Sequence, residues 1–237
     1  MSQGCVRDWG LLLRLLHTKP YLRHLSLQGN PEDPWRWDPR TLLISQLKTV
    51  TSLYLHEVPA EILHRIPDAM PHLTVLWCEG VLFNAGDQCV DFGRLRGMTR
   101  LTELCVHSPD PFQLPAFSFQ GSVSQLKSLS LLTTLVISNV EGQVSSEFTF
   151  LRQLRRLTSL TVGFCFEWTW ETYEAIGELK ELRYLSLNGL PIKMEDAGLD
   201  SALVSCLTTL PHLEALELID YFIPEGQLSS FLRPTLS

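Results

Sequence analysis

The chain has 237 residues, 45% of them apolar, with a formal net charge of -7 and an isoelectric point near 5.5. The acidic balance disfavours nucleic acid or any other phosphate-rich partner, and the apolar share suffices for a sizeable core in one or two domains. Charge is uneven as well: residues 1–60 carry seven Lys/Arg against five Asp/Glu, whereas residues 161–237 carry four against twelve. Acidic character therefore gathers towards the C-terminal end, as a solvated surface or as a face for a basic partner. Six cysteines, at 5, 78, 89, 105, 165 and 206, form no C-x-x-C pair. They read as reduced thiols in the cytoplasm or nucleus rather than as a disulfide framework.

The first apolar run, Leu11 to Leu16, is short and broken by Arg14, so it is neither a signal peptide nor a membrane span. Val6, Trp9, Leu12, Leu13 and Leu16 share one helical face, and residues 1–21 are expected to form a helical cap. From there one spacing recurs, apolar-x-x-Leu-x-apolar, beginning at Leu22, Val50, Leu73, Leu101, Leu132, Leu157, Leu182 and Leu213. A period of roughly 20 to 30 residues marks a solenoid, whose units are too small to bury their own apolar faces and must stack on one another. Residues 22–221 are expected to form one domain of eight repeats, and residues 222–237, with Leu228, Phe231 and Leu232, a C-terminal cap. Both caps are thin, which fits one portion of a larger protein.

Within each repeat two periods alternate. In Leu182-Arg-Tyr-Leu185-Ser-Leu187 the last two leucines alternate with polar neighbours, as a half-buried strand requires. Three residues before seven of the eight starts stands another apolar residue (Leu47, Met70, Met98, Leu129, Leu154, Leu179, Leu210), a helical spacing; the first repeat has Lys19 there. Helices are expected over 145–157, with Ser145 or Ser146 as N-cap and Phe148, Leu151 and Leu154 inward. A second runs over 172–182, with Tyr173, Ile176, Leu179 and Leu182 on one face. A third runs over 193–210, with Leu199, Leu203, Cys206, Leu207 and Leu210 inward. Strand followed by helix, repeated, makes a parallel sheet with helices outside. Helices are wider than strands, so the stack curves with the sheet on the inner face. Residues 29–39 (three Pro, two Trp) and 108–122 (three Pro, three Phe) read as long irregular stretches whose aromatics fold back over the convex side.

Stretches such as LTELCV (101–106), LTSLTV (157–162), LRYLSLNGL (182–190) and LPHLEALEL (210–218) resemble the leucine-rich repeat family over roughly 200 of the 237 residues. The resemblance implies an α/β leucine-rich repeat solenoid, a right-handed horseshoe with a parallel sheet on the concave face and helices on the convex face. It also implies binding of a protein partner through that sheet, without catalysis, cofactor or metal. The chain departs from the family where Asn or Cys often bonds successive turns: Asn30, Val58, Val81, Pro109, Val140, Cys165, Leu190 and Tyr221 stand there, so no regular asparagine ladder exists. Irregular intracellular repeats of NOD-like receptors and F-box proteins are similar. A recognition part of a ubiquitin-ligase substrate receptor or of an innate immune sensor is therefore the alternative to a free-standing binding module. No Gly-Lys pair supplies a nucleotide-binding loop.

On that fold, residues alternating with the buried pair face outward. One column is Ser26, Tyr54, Trp77, Cys105, Val136, Thr161, Ser186 and Glu217; the next is Gln28, His56, Glu79, His107, Ser138, Gly163, Asn188 and Ile219. Tyr54 and Trp77 become neighbours and form the expected binding anchor, flanked by His56, Glu79, Cys105 and His107. Phe164, in GFCFEWTW, is expected to face outward at its strand end, where it could extend this surface, while most of the rings of that stretch pack beneath the next helix. His56, Glu79, His107 and Cys105 are residue types that ligate zinc, but two strands separate the histidines, and a hydrogen-bonded polar patch is the preferred reading. Cys105 with His107 could form a thiolate and base only if the thiol ionises readily.

Overall fold

Each of the eight hexads folds as one strand. The structure, a computed structural model, describes residues 16, 18–28, 47–56, 60–80, 89–107, 117–120, 123–138, 140–141, 145–163, 169–188 and 197–219. The strands are β1 (His24–Gln28), β2 (Ser52–His56), β3 (Val75–Glu79), β5 (Glu103–His107), β7 (Thr134–Ser138), β9 (Ser159–Gly163), β10 (Tyr184–Asn188) and β11 (Ala215–Ile219). They form one open parallel sheet in chain order, β1-β2-β3-β5-β7-β9-β10-β11. Register is conserved throughout: Leu25, Leu53, Leu76, Leu104, Leu135, Leu160, Leu185 and Leu216 lie side by side. Because side chains alternate with a period of two, this phase sends one apolar column after another to the same side of the sheet.

The core is the resulting rod. Leu73, Leu101, Leu132, Leu157 and Leu182, the first positions of five hexads, are fully enclosed, as are Leu76, Leu104, Leu135, Leu160 and Leu185. The apolar residue three positions earlier acts through a tight turn: the N–H of each first residue donates to its carbonyl at 3.0–3.2 Å, stretched to 3.5 Å at Leu213. Lys19, the exception in sequence, makes the same turn through its backbone, with Leu22 donating to its carbonyl at 3.1 Å.

A polar ladder, not anticipated from the sequence, holds the repeats in phase. The second position of the hexad is Thr51, Thr74, Thr102, Thr133 or Thr158 in five consecutive repeats. The carbonyl at that position accepts two N–H groups from the next repeat, at 2.7–2.8 Å and 3.0–3.1 Å. The next repeat's threonine hydroxyl adds a third bond at 3.1 Å from Thr74, Thr102, Thr133 and Thr158. Half-buried carbonyls are thus saturated at the entry to the strands.

The outer layer is helical but mixed. Among the described residues it contains α1 (Ala60–Ala69), α2 (Phe92–Leu95), α3 (Trp170–Gly177) and α4 (Ala197–Thr208), together with 3-10 helices Val123–Ser128 and Ser145–Gln153. The helix expected over 145–157 is therefore a 3-10 helix. A strict spacing of three, as in Phe148-Leu151-Leu154, suits three residues per turn better than 3.6. The helix expected over 172–182 ends at Gly177; Leu179 and Leu182 stay fully buried but belong to the turn. In α4, Leu203 and Cys206 face the core as expected.

A second parallel sheet, β4 (Cys89–Asp91), β6 (Phe117–Gln120) and β8 (Val140–Glu141), occupies three consecutive repeats. It corrects the reading of 108–122 as wholly irregular: the backbone of 117–120 pairs with strands on both sides. Residues 29–39 and both expected caps lie outside the described residues, except Leu16 and Thr18 to Tyr21 of the N-terminal one. Leu16 packs against the core.

Burial fades at the last strand, where Leu216 is 38% exposed whereas Leu160 is fully enclosed. Leu160→Ala should cost about 2 to 5 kcal/mol through the cavity it leaves, and Leu216→Ala about 1 kcal/mol or less, as read by urea unfolding. Thr133→Val, which keeps shape but removes one rung, should cost about 1 kcal/mol in the same measurement.

Candidate partner-binding face

The sheet presents three outward columns on its concave side. Two are those read from the sequence; the third begins each strand with His24, Ser52, Val75, Glu103, Thr134, Ser159, Tyr184 and Ala215. Tyr54 pairs with Trp77 and His56 with Glu79 across β2 and β3, and Trp77 with Cys105 and Glu79 with His107 across β3 and β5. Six of the seven residues singled out from the sequence are therefore brought together; Phe164 lies outside the described residues.

Glu79 organises this patch. Its Oε1 accepts a 2.6 Å hydrogen bond from the Trp77 indole Nε1, two residues back on the same strand and face. Its Oε2 stands 3.9 Å from His56 Nε2 on the neighbouring strand. The indole is half-buried and fixed by this bond, whereas Tyr54 beside it is 38% exposed.

His107 turns the other way. Its Nδ1 lies 2.5 Å from Ser138 Oγ on β7. Burial lowers its pKa, opposed by the nearby negative charge of Glu79. His56 thus stands against Glu79 while His107 engages Ser138, and the three form a polar patch instead of converging on one point. Cys105 shares the outward column but is 1% exposed, flanked in register by Trp77 and Val136, so it offers a partner no surface. Burial, reinforced by the charge of Glu79, pushes its thiol far above the ordinary range, which removes the thiolate that a Cys105–His107 nucleophile would need.

A second ring–carboxylate pair lies at the far end of the same face. The Tyr184 hydroxyl donates to Glu217 Oε2 at 2.6 Å across β10 and β11, and this bond, with burial second, raises the phenol's pKa. Tyr184 was missed in the sequence because it sits in the outward column that opens each strand, ahead of the alternating pair. Between the two patches the wall is lower: Gly163 is buried between Ser138 and Asn188, and a Cβ on it would meet Ser138 Cβ at 3.1 Å.

The convex side offers a different kind of depression. A groove of about 330 Å³ runs between α3 and α4 beneath Trp170, which is 57% exposed and not tucked under its helix. Its charges are already satisfied within the chain. Arg152 binds Glu174 at 2.8 Å and Glu178 at 3.2 Å, and Lys180 Nζ donates to the Gly177 and Thr209 carbonyls at 2.6 and 2.8 Å.

Comparison with known proteins identifies the architecture. An internalin from Listeria monocytogenes matches 91% of this chain and 52% of its own, at 18% identity and a TM-score of 0.55. A leucine-rich repeat protein from Leptospira interrogans matches 79% of this chain and 48% of its own, at 18% identity and a TM-score of 0.43. The chain thus spans about half the length of these structures. No family model matches the sequence, and no curated protein does. The fold is that of a leucine-rich repeat solenoid, an open α/β horseshoe. No helix among the described residues is long and apolar enough to cross a membrane.

Three buried thiols link the core to pH. Burial raises the pKa values of Cys78 and Cys105 well above the ordinary thiol range, and it pushes Cys206 up to about 12. The folded state then holds protons that the unfolded chain releases above about pH 8.5, so stability is full below that pH. Above it, stability should fall by about 1.4 kcal/mol per pH unit for each thiol. Urea unfolding on either side of this pH checks the slope, and Cys105→Ala should remove one thiol's share.

Proposed function

We propose that this chain is a protein-recognition module that seats its partner on the concave sheet, with Tyr54 and Trp77 as anchors and no chemistry of its own. One observation carries the reading: two aromatic side chains stand in adjacent register on an outward wall, and the larger is fixed in place by Glu79. Tyr and Trp contribute large contact area at low entropic cost, and pre-organisation lowers that cost further. His56 and Glu79 supply a polar rim to the same anchor. An enclosed, protonated Cys105 and a His107 directed at Ser138 support the non-catalytic part of the reading. The free thiols of Cys78, Cys105 and Cys206 fit a cytoplasmic or nuclear setting. In a larger receptor or ligase assembly the same face would serve as the recognition element.

The test is affinity capture with cross-linking, comparing the intact chain, Tyr54→Ala/Trp77→Ala, and Trp170→Ala as a convex-side control. The double variant, shown to be folded by an unchanged unfolding midpoint, should weaken partner binding about thirtyfold or more, near 2 kcal/mol. The control should bind as the intact chain does. Undiminished partner binding by the folded double variant overturns the reading.

A further inference from the structure

The concave wall has an unbalanced charge. Among the described residues, no outward position on any of the eight strands is Lys or Arg, whereas three are glutamates: Glu79, Glu103 and Glu217. Off the wall, several acids are matched by arginines within the chain: Glu174 and Glu178 by Arg152, Glu214 by Arg183, and Asp68 by Arg94. Exposed Arg100, Arg155 and Arg156 occupy turns that precede strands, and Arg152 and Lys180 line the convex groove. No arginine or lysine among the described residues pairs with the three wall glutamates.

Two of those glutamates are bound to rings. Glu79 takes the Trp77 indole N–H and Glu217 takes the Tyr184 hydroxyl, each at 2.6 Å. The Glu79 side chain remains 39% exposed, beside the exposed Tyr54. A carboxylate next to an aromatic face attracts a cation twice, by charge and by the ring quadrupole. A guanidinium fits best, because it can stack on the ring while donating in pairs to the carboxylate.

We propose that the occupant of this face is a basic, extended peptide segment of a protein partner, with one cationic side chain over Tyr54, Trp77 and Glu79 and a second over Tyr184 and Glu217. This rests on the concave-face reading and adds the chemistry of the partner. The pairs lie on the third strand and on the seventh and eighth. At about 4.8 Å per strand they are about 20 to 24 Å apart, which an extended chain covers in about six residues. An even interval places both side chains on one side of the segment. The low step at Gly163 lies on the path between them.

Selection from a displayed random dodecapeptide library tests this, with the intact chain, Glu79→Gln/Glu217→Gln, and Tyr54→Ala/Trp77→Ala as baits, each verified as folded. Peptides selected by the intact chain should carry two Arg or Lys about six residues apart. The synthetic consensus peptide should bind about tenfold more weakly when either glutamate becomes glutamine, with affinity falling as salt rises. Replacing both its cations with glutamine should abolish binding. Selected peptides without cations that lose binding only to the aromatic double variant would overturn the cationic partner and leave the concave reading standing. Peptides indifferent to every concave substitution would overturn both, and absence of any selected peptide would overturn the basic-segment proposal.

Discussion

No repeat in this chain can bury its own leucines, and every other property of the fold follows from that deficit. A hexad offers apolar side chains on one side of a five-residue strand, and only another hexad in the same phase can complete their enclosure. Parallel pairing with unchanged register satisfies that need seven times in succession. The threonine ladder secures the phase where the backbone enters the sheet, because the carbonyl at the second position accepts three donors from the following repeat. A slip of one residue would expose the leucines and break the ladder together, so packing and hydrogen bonding specify the same alignment. The last strand shows the same physics from the other side: with no later strand paired to it among the described residues, its leucine is partly exposed.

The alignment that builds the core also composes the wall. Residues about 25 residues apart in sequence become neighbours at strand spacing, so single outward positions merge into columns. The concave face is mostly small and polar, and its large side chains gather in two places, each with a ring hydrogen-bonded to a glutamate. The convex face has an exposed tryptophan too, but its carboxylates are held by Arg152 and its lysine by backbone carbonyls. What separates the two faces is thus the availability of charge. On the convex groove intramolecular partners have neutralised it, and on the concave wall no lysine or arginine among the described residues does so.

Residues illustrate how far periodicity carries and where it stops. Tyr54 and Trp77 were legible as neighbours because the interval between hexads sets their register, and the structure pairs them. Cys105 obeys the same alternation, yet it is enclosed: orientation is a property of the strand, whereas exposure depends on what stands beside it. His107 was legible as an outward residue, but its engagement with Ser138, and not with Glu79 or Cys105, depends on a side-chain torsion that spacing does not contain. The repeated threonines were visible as letters, but their purpose required knowing which carbonyl each hydroxyl meets.

The sequence alone determined the period, the phase and therefore the class of fold, because eight stacked copies of one short pattern leave a single efficient way to bury their leucines. It also set the composition of the outward columns, which hold glutamates and aromatics among small polar residues and no lysine or arginine. Only the tertiary structure decided which outward side chains remain accessible, that the outer segments are α-helical in some repeats and 3-10 in two middle ones with a second small sheet, and how the glutamates pair with rings. Those outcomes depend on contacts between side chains from different repeats, whose geometry is fixed by volume, torsion and hydrogen-bond direction, and a one-dimensional pattern records none of these.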